Sequence, residues 1–231
     1  MKTEIEVITL NKEDTLQAEK LGADRVELVS AMLEGGLTPS YGTIKNVLNN
    51  VSIPVQIMVR PHSYGFVYDE KDSETIKEDI TAIKELGGNR IVFGAITDNG
   101  EVDEKLLNKV IEHAPDLDIT FHRAFDHVTS QVEAYRVLNK YKHNVKRILT
   151  SGGKDKAENA SNELRELVEL YKKLNGPSIL VGSGVSPDNI AHLHKQIGAS
   201  EYHIGSGVRT NRDMSNSLSS EEMAKVLSVF E

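Results

Sequence analysis

Short runs of β-branched and aliphatic residues recur regularly along the chain. The stretches between them space their apolar positions as amphipathic helices do, and together they give the rhythm of a parallel βα sheet. The runs predict eight strands, at 4–8, 25–29, 55–60, 90–94, 118–122, 146–150, 178–181 and 201–204. The intervening patterns predict helices at 12–21, 41–48, 73–86, 103–113, 130–140, 155–174, 187–196 and 221–230. The polar, irregular stretch 208–220 makes the last helix late and short. An open doubly wound sheet would call for a Gly-x-Gly-x-x-Gly turn after the first strand. Val7-Ile8-Thr9-Leu10-Asn11 has no glycine there. The expected architecture is therefore one (β/α)₈ TIM-type barrel spanning residues 1–231, a length that suits this fold as a single unit.

Strand residues alternate faces, and in a barrel the outward face packs on helices and is apolar. Ile5 and Val7 then face outward and turn Glu4 and Glu6 in; Val26 and Leu28 do the same for Arg25 and Glu27. Val55, Ile57 and Val59 leave Gln56, Met58 and Arg60 inside. Ile119 and Phe121 leave Thr120 and His122, and Tyr202 and Ile204 leave His203. One parity rule thus gathers Glu6, Glu27, Arg60, His122 and His203 in one barrel interior. Buried ions cost several kcal/mol unless paired or used. They are either a structural ion-pair network or a site, and Arg60 and His122 fall at the strand ends where barrel active sites lie.

Three glycine turns follow the last strands: Thr150-Ser151-Gly152-Gly153, then Gly182-Ser183-Gly184, then Gly205-Ser206-Gly207. Glycines let backbone N–H groups approach an anion, and loops after strands seven and eight often hold phosphate in such barrels. The expected anion contacts are Arg123, Thr150, Ser151, Gly152, Gly153, Gly182, Ser183, Gly184, Gly205 and Ser206. The catalytic candidates are Glu6, Glu27, Arg60, His122 and His203, with the arginines neutralising charge and His122 and the glutamates moving protons. No lysine lies at a C-terminal strand end, so acid–base chemistry of an isomerase, lyase or hydrolase type is expected in place of a Schiff base. The alternative is a non-catalytic Cu(II) or Zn(II) site with Glu6, Glu27, His122 and His203 as oxygen and nitrogen ligands. Cu(I) prefers sulfur, and Met58 is the only sulfur that strand parity turns inward.

The loop 61–72, with Tyr64, Gly65, Phe66 and Tyr68, is long enough for a lid, though its aromatics would equally pack on the rim. Asp69, Glu70 and Asp72 read as an exposed charge run leading into a helix, and His192 and His194 as surface residues. The net charge of −8 is spread along the whole chain, and no Lys/Arg cluster with interleaved aromatics appears. Nucleic acid and membrane are therefore not expected partners. A small molecule or metal is, and homo-oligomerisation stays open. No cysteine is present, which excludes disulfides and thiolate catalysis and fits a cytoplasmic protein without a signal segment.

These residues also carry a resemblance. Arg25-Val26-Glu27-Leu28 followed by Gly35-Gly36-Leu37-Thr38-Pro39-Ser40 resembles the strongest signature of the copper homeostasis protein CutC family. Further blocks similar to that family are Met58-Val59-Arg60-Pro61, Thr120 to Asp126, Arg147 to Gly153, and Gly182 to Val185 with Asn189 and His203. The resemblance implies a barrel of this type, a cytoplasmic location, and a role in copper homeostasis and copper binding; copper as a cofactor is implied by the resemblance alone. Many family members carry a cysteine where this chain has Val29, and an arginine is common where it has His62.

Overall fold

All eight strands form, and each takes the next as its parallel neighbour: β1 (Glu4–Thr9), β2 (Arg25–Leu28), β3 (Val55–Met58), β4 (Arg90–Phe93), β5 (Asp118–Phe121), β6 (Val145–Thr150), β7 (Ser178–Val181) and β8 (Glu201–Ile204). The eighth pairs back onto the first, with His203 level with Glu6, and the barrel closes. This computed structural model describes residues 2–230. The helices are α1 (Lys12–Lys20), α2 (Tyr41–Leu48), α3 (Glu70–Glu85), α4 (Glu104–His113), α5 (Gln131–Asn139), α6 (Ser161–Leu174), α7 (Ile190–Ile197) and α8 (Ser220–Leu227).

Three helices start three or more residues away from where periodicity places them; the last of them, α7, begins at Ile190 after a turn at 187–189. The first, α3, begins three residues early because Asp69 caps it: its carboxylate accepts the N–H groups of Lys71 and Asp72, and Asp72 accepts that of Asp69. The acidic run is a helix start. The second, α6, begins at Ser161 because residues before it are held against the turn after β7. There the Ala157 N–H donates to the Ser183 carbonyl, and the Ser183 hydroxyl donates to the Asp155 carbonyl. That tether makes a 3-10 turn at Ala157–Asn159 in place of the helix's first turn.

The alternation of side chains divides the apolar core in two. Ile5, Val7, Val26, Leu28, Ile57, Ile119, Phe121, Tyr202 and Ile204 are buried between sheet and helices in one large cluster. A second, small cluster of Ile8, Val29, Met58 and Val92 belongs to the other face, inside the barrel. Each fully buried aliphatic side chain contributes about 1.5–3 kcal/mol, so the outer shell holds the fold.

The floor of the barrel, at the N-terminal strand ends, is ionic and closed. Arg25 donates to Glu4 (2.8 Å), to Glu201 (2.7 Å) and to Glu6. Arg147 donates to Asp118 (2.8 Å) and lies 3.5 Å from Glu201. Arg90 and Gln56 complete the hydrogen bonding of Asp118. Each of these carboxylates meets a guanidinium, which is what buried charge requires.

Candidate functional site

Above that floor lies a cavity of about 290 Å³ at the C-terminal strand ends. Its polar wall is Glu27, Arg60, His122, Arg123, Ser183, His203 and Ser206, and its apolar wall includes Ile8, Met58, Phe66, Leu149 and Val185. Four of the five catalytic candidates therefore line one cavity. Glu6 does not; it lies fully buried behind His203, one layer deeper.

Glu6, His203 and Glu27 form a line from floor to cavity. His203 Nδ1–H donates to Glu6 at 2.7 Å, and His203 Nε2 stands 3.6 Å from Glu27. Burial would push the Glu6 carboxyl up, but Arg25 and His203 hold it well below the usual carboxylate range. For His203, burial works against the charged form, and Glu27 and then Glu6 outweigh it and raise its pKa. Glu27 is pushed up to about 7, chiefly by burial and further by Glu6, against the pull of His203. Its Oε1 has no hydrogen-bond partner. A carboxyl at the edge of a cavity that titrates near neutrality is suited to taking and returning a proton.

On the opposite wall His122 is held neutral. Its Nδ1 accepts the Ala124 N–H at 3.1 Å, within the short 3-10 turn Arg123–His127, so the ring proton sits on Nε2. Burial, with the Arg60 charge beside it, pushes its pKa down to about 3. The Nε2 atom is buried and unpartnered. The ring fits because residue 94 is glycine: a Cβ there would stand 2.6 Å from His122 Nδ1.

Arg60 is 5% exposed, yet no carboxylate among the described residues pairs with it. Its Nη1 donates to the carbonyls of Glu34 and Gly36, both at 3.1 Å, while Nε has no partner. Phe66 covers it, with the guanidinium carbon 4.8 Å from the ring centroid, and also packs on His122 at 4.9 Å. The loop after β3 thus uses Phe66 as a cover, whereas Tyr64 stands 92% exposed.

The three glycine turns differ. Those after β7 and β8 line the cavity through Ser183, Gly184, Gly205, Ser206 and Gly207. The turn after β6 is a correction: Thr150, Ser151, Gly152 and Gly153 do not line it, because the donors of Thr150, Ser151 and Gly153 already hold the protein's own Asp126 and the Gly152 N–H donates to the Thr150 hydroxyl oxygen. The N–H groups of Ser151 and Gly153 each lie 3.1 Å from Asp126 Oδ1, and the Thr150 hydroxyl donates to the same oxygen. Arg123 pairs with that carboxylate at 2.7 Å, so its charge is already balanced. Gly182 also lies outside the cavity wall; its N–H donates to the Thr150 carbonyl, and a Cβ there would stand 2.6 Å from Leu149. Its missing side chain makes room for Leu149 and His203.

Sulfur is a second correction. Met32 and Met214 line the cavity alongside Met58. Met32 opens a short 3-10 turn after β2 and Met214 sits in a turn before α8, segments whose direction strand parity does not describe. His194 is also less exposed than its sequence position suggests, since it hydrogen-bonds Tyr202 and packs edge-on against Phe230. His192 is exposed, as expected.

The oxygen and nitrogen donors do not assemble as a metal centre. Glu6 is occupied by Arg25 and His203, and His122 stands beside the Arg60 charge. Among the described residues no group of three or more His, Asp or Glu side chains is placed to hold a metal ion. None of the described helices is long and apolar enough to cross a membrane.

The sequence profile of the CutC family matches residues 3–208. The chain belongs to the CutC family. It is 38% identical over 201 residues to the CutC family protein of Photorhabdus laumondii, covering 87% of this chain and 79% of that one. It is 36% identical over 212 residues to that of Pectobacterium atrosepticum, covering 92% and 82%. A solved structure of CutC from Streptococcus agalactiae, named for copper homeostasis, superposes with a TM-score of 0.80 at 28% identity, covering 88% of this chain and 98% of that one. Phosphoribosyl anthranilate isomerase from Thermococcus kodakaraensis superposes at 0.65 with 13% identity, covering 99% and 98%, and shares the barrel fold. The CutC blocks quoted from the sequence supply Glu27, Met58, Arg60, His122 and His203 to the cavity and Arg25 and Arg147 to the floor below it.

Proposed function

We propose that this CutC barrel binds a small anionic molecule at the mouth of the barrel, between Arg60 and His122 on one wall and Glu27 and His203 on the other. One observation carries the reading: the Arg60 guanidinium is buried without a carboxylate partner. A buried cation left so costs several kcal/mol, more than two carbonyl contacts and an aromatic face offset, and a ligand anion is the natural complement. Ser183, Gly184, Gly205 and Ser206 add hydroxyl and backbone donors on the adjoining wall. Glu27, placed to exchange protons, makes the pocket suited to acid–base turnover of its ligand. Thermal unfolding in millimolar phosphate, sulfate or a small carboxylate tests it. The melting temperature rises in the wild type, does not rise in Arg60→Met, and rises normally in His192→Ala. Equal shifts in wild type and Arg60→Met contradict the reading.

A copper role has one supporting observation. The thioethers of Met32, Met58 and Met214 line the same cavity, and thioether sulfur suits Cu(I). Under this reading those sulfurs, with His203, hold Cu(I), and the oxygen ligands do not take Cu(II) or Zn(II). Competition against a Cu(I) chelator decides it. Stoichiometric retention that disappears on changing the three methionines to leucine supports copper, and no retention removes it.

A further inference from the structure

Three buried polar atoms without partners belong to residues on the wall of one cavity: Glu27 Oε1, His122 Nε2 and Arg60 Nε. Buried polar atoms are almost always satisfied, so orphans collected at one cavity describe the missing partner. These three ask for specific chemistry. The Arg60 Nε–H edge calls for an anionic oxygen, and a carboxylate matches its planar geometry. The His122 Nε2–H, from a ring that cannot donate a proton outright, calls for a carbonyl oxygen that gains negative charge. The Glu27 oxygen calls for a proton, and His203 and Glu6 behind it form a line that accommodates the change in charge. The rest of the wall sets Ser183, Ser206 and the glycine backbones beside apolar Ile8, Leu149, Val185 and the methionines, and the volume is small.

We infer that the ligand is a small oxo acid, a carboxylate with a neighbouring carbonyl and an apolar side chain, and that the barrel transfers a proton at the carbon next to that carbonyl. This rests on the anion pocket described above and specifies its chemistry. The substrate carboxylate lies on Arg60 and the carbonyl oxygen on His122 Nε2–H. Glu27 removes a proton from the adjacent carbon; the C–H electron pair forms the C=C bond of an enolate, and the carbonyl π pair moves onto its oxygen. That oxyanion is stabilised by the neutral imidazole donor and by the Arg60 charge. Return of the proton from Glu27 to the same carbon regenerates the oxo acid, so the partial reaction needs no oxidant, reductant or second substrate.

Exchange with solvent reads this step directly. Pyruvate, 2-oxobutyrate and phenylpyruvate are incubated with the whole chain in D₂O, and loss of the proton signal next to the carbonyl is followed by NMR. Exchange of at least one oxo acid is expected to exceed the buffer blank. It falls about a hundredfold in Glu27→Gln and in His122→Ala, in line with the usual contribution of a positioned base. His122→Gln, which keeps an N–H donor and fills the space, retains part of the rate. Arg60→Met raises the half-saturating concentration more than it lowers the maximal rate. The same oxo acids are tested by thermal shift. If they raise the melting temperature through Arg60 but none exchanges faster than the blank, the proton-transfer inference is overturned and the anion pocket stands. If they neither exchange nor shift the melting temperature, and phosphate does not either, both fall.

Discussion

Arg25, at the start of β2, and Arg60, two residues past the end of the neighbouring β3, are both almost fully buried inside the same barrel, and their surroundings could hardly differ more. At the floor, Arg25 meets Glu4, Glu6 and Glu201, and the network runs on through Arg147 to Asp118 and Arg90. At the mouth, Arg60 meets two backbone carbonyls, the face of Phe66 and the neighbouring Tyr68 hydroxyl, and no carboxylate among the described residues. Charges with their own counter-ions close one end of the barrel and hold it. Charges without them mark the end that awaits a partner. Residue type alone does not separate structure from function in this molecule; completeness of pairing does.

The largest effect expected on that contrast is at the floor. Arg25→Met leaves Glu6 buried and without its guanidinium, and breaking a buried pair in this way costs about 3–5 kcal/mol. Urea unfolding measures it, and a loss below about 1 kcal/mol would erase the distinction between the two ends. Asp126→Ala comes next. It strips the β6 turn of the carboxylate that its N–H groups and Arg123 hold, and charge-assisted bonds of this kind contribute about 1.5–3 kcal/mol each. Allowing for rearrangement, a total loss of about 2–3 kcal/mol is expected, and an unchanged unfolding midpoint counts against it. Arg60→Met removes a buried charge that has no counter-ion, so without ligand the variant is at least as stable as the wild type. A loss matching that of Arg25→Met would make Arg60 a structural residue.

The smallest effect is a dependence on pH. Glu27 lies above its ordinary value in the folded chain, so folding favours its protonated form. That stabilisation is whole below the unfolded carboxylate pKa and is lost as pH rises through about 7. His203, also raised, loses its contribution in the same direction, while Glu6, lowered, acts only in acid. The groups facing Glu27 are His203 from β8 and Glu6 from β1. Melting temperature should therefore decline from mildly acid to mildly alkaline pH in the wild type. Glu27→Gln should flatten that decline, and parallel curves for the two proteins would show that Glu27 does not titrate near neutrality.

Much of this was legible from period and parity. The eight strands, the closed barrel and the inward stripe follow from alternation with a two-residue repeat, because one face must meet helices and the other must not. Parity does not give height along the barrel, so it placed Glu6 and Glu27 together, although Glu6 lies a layer below the cavity. Nor does it name partners: Arg25 was turned inward correctly, but its service to three carboxylates depends on which strands adjoin. Loop side chains escape it altogether, which is why Met32 and Met214 came only from the structure, and why Phe66, named among the loop aromatics, gained its place over Arg60 only there. The three glycine turns look alike as text. The one after β6 differs because Asp126, on the turn after β5, reaches across to fill it, and a carboxylate close behind the His122-Arg123 pair was the available hint.

The central claim is that the unpaired charge of Arg60 is completed by a ligand anion, and a crystal grown or soaked in a small carboxylate or sulfate tests it most directly. The account predicts an ordered anion in the cavity, within about 3 Å of Arg60 Nε and in reach of His122 Nε2, at hydrogen-bonding distance. A guanidinium that instead pairs with a carboxylate of the protein, with the anion found elsewhere or nowhere, would contradict it.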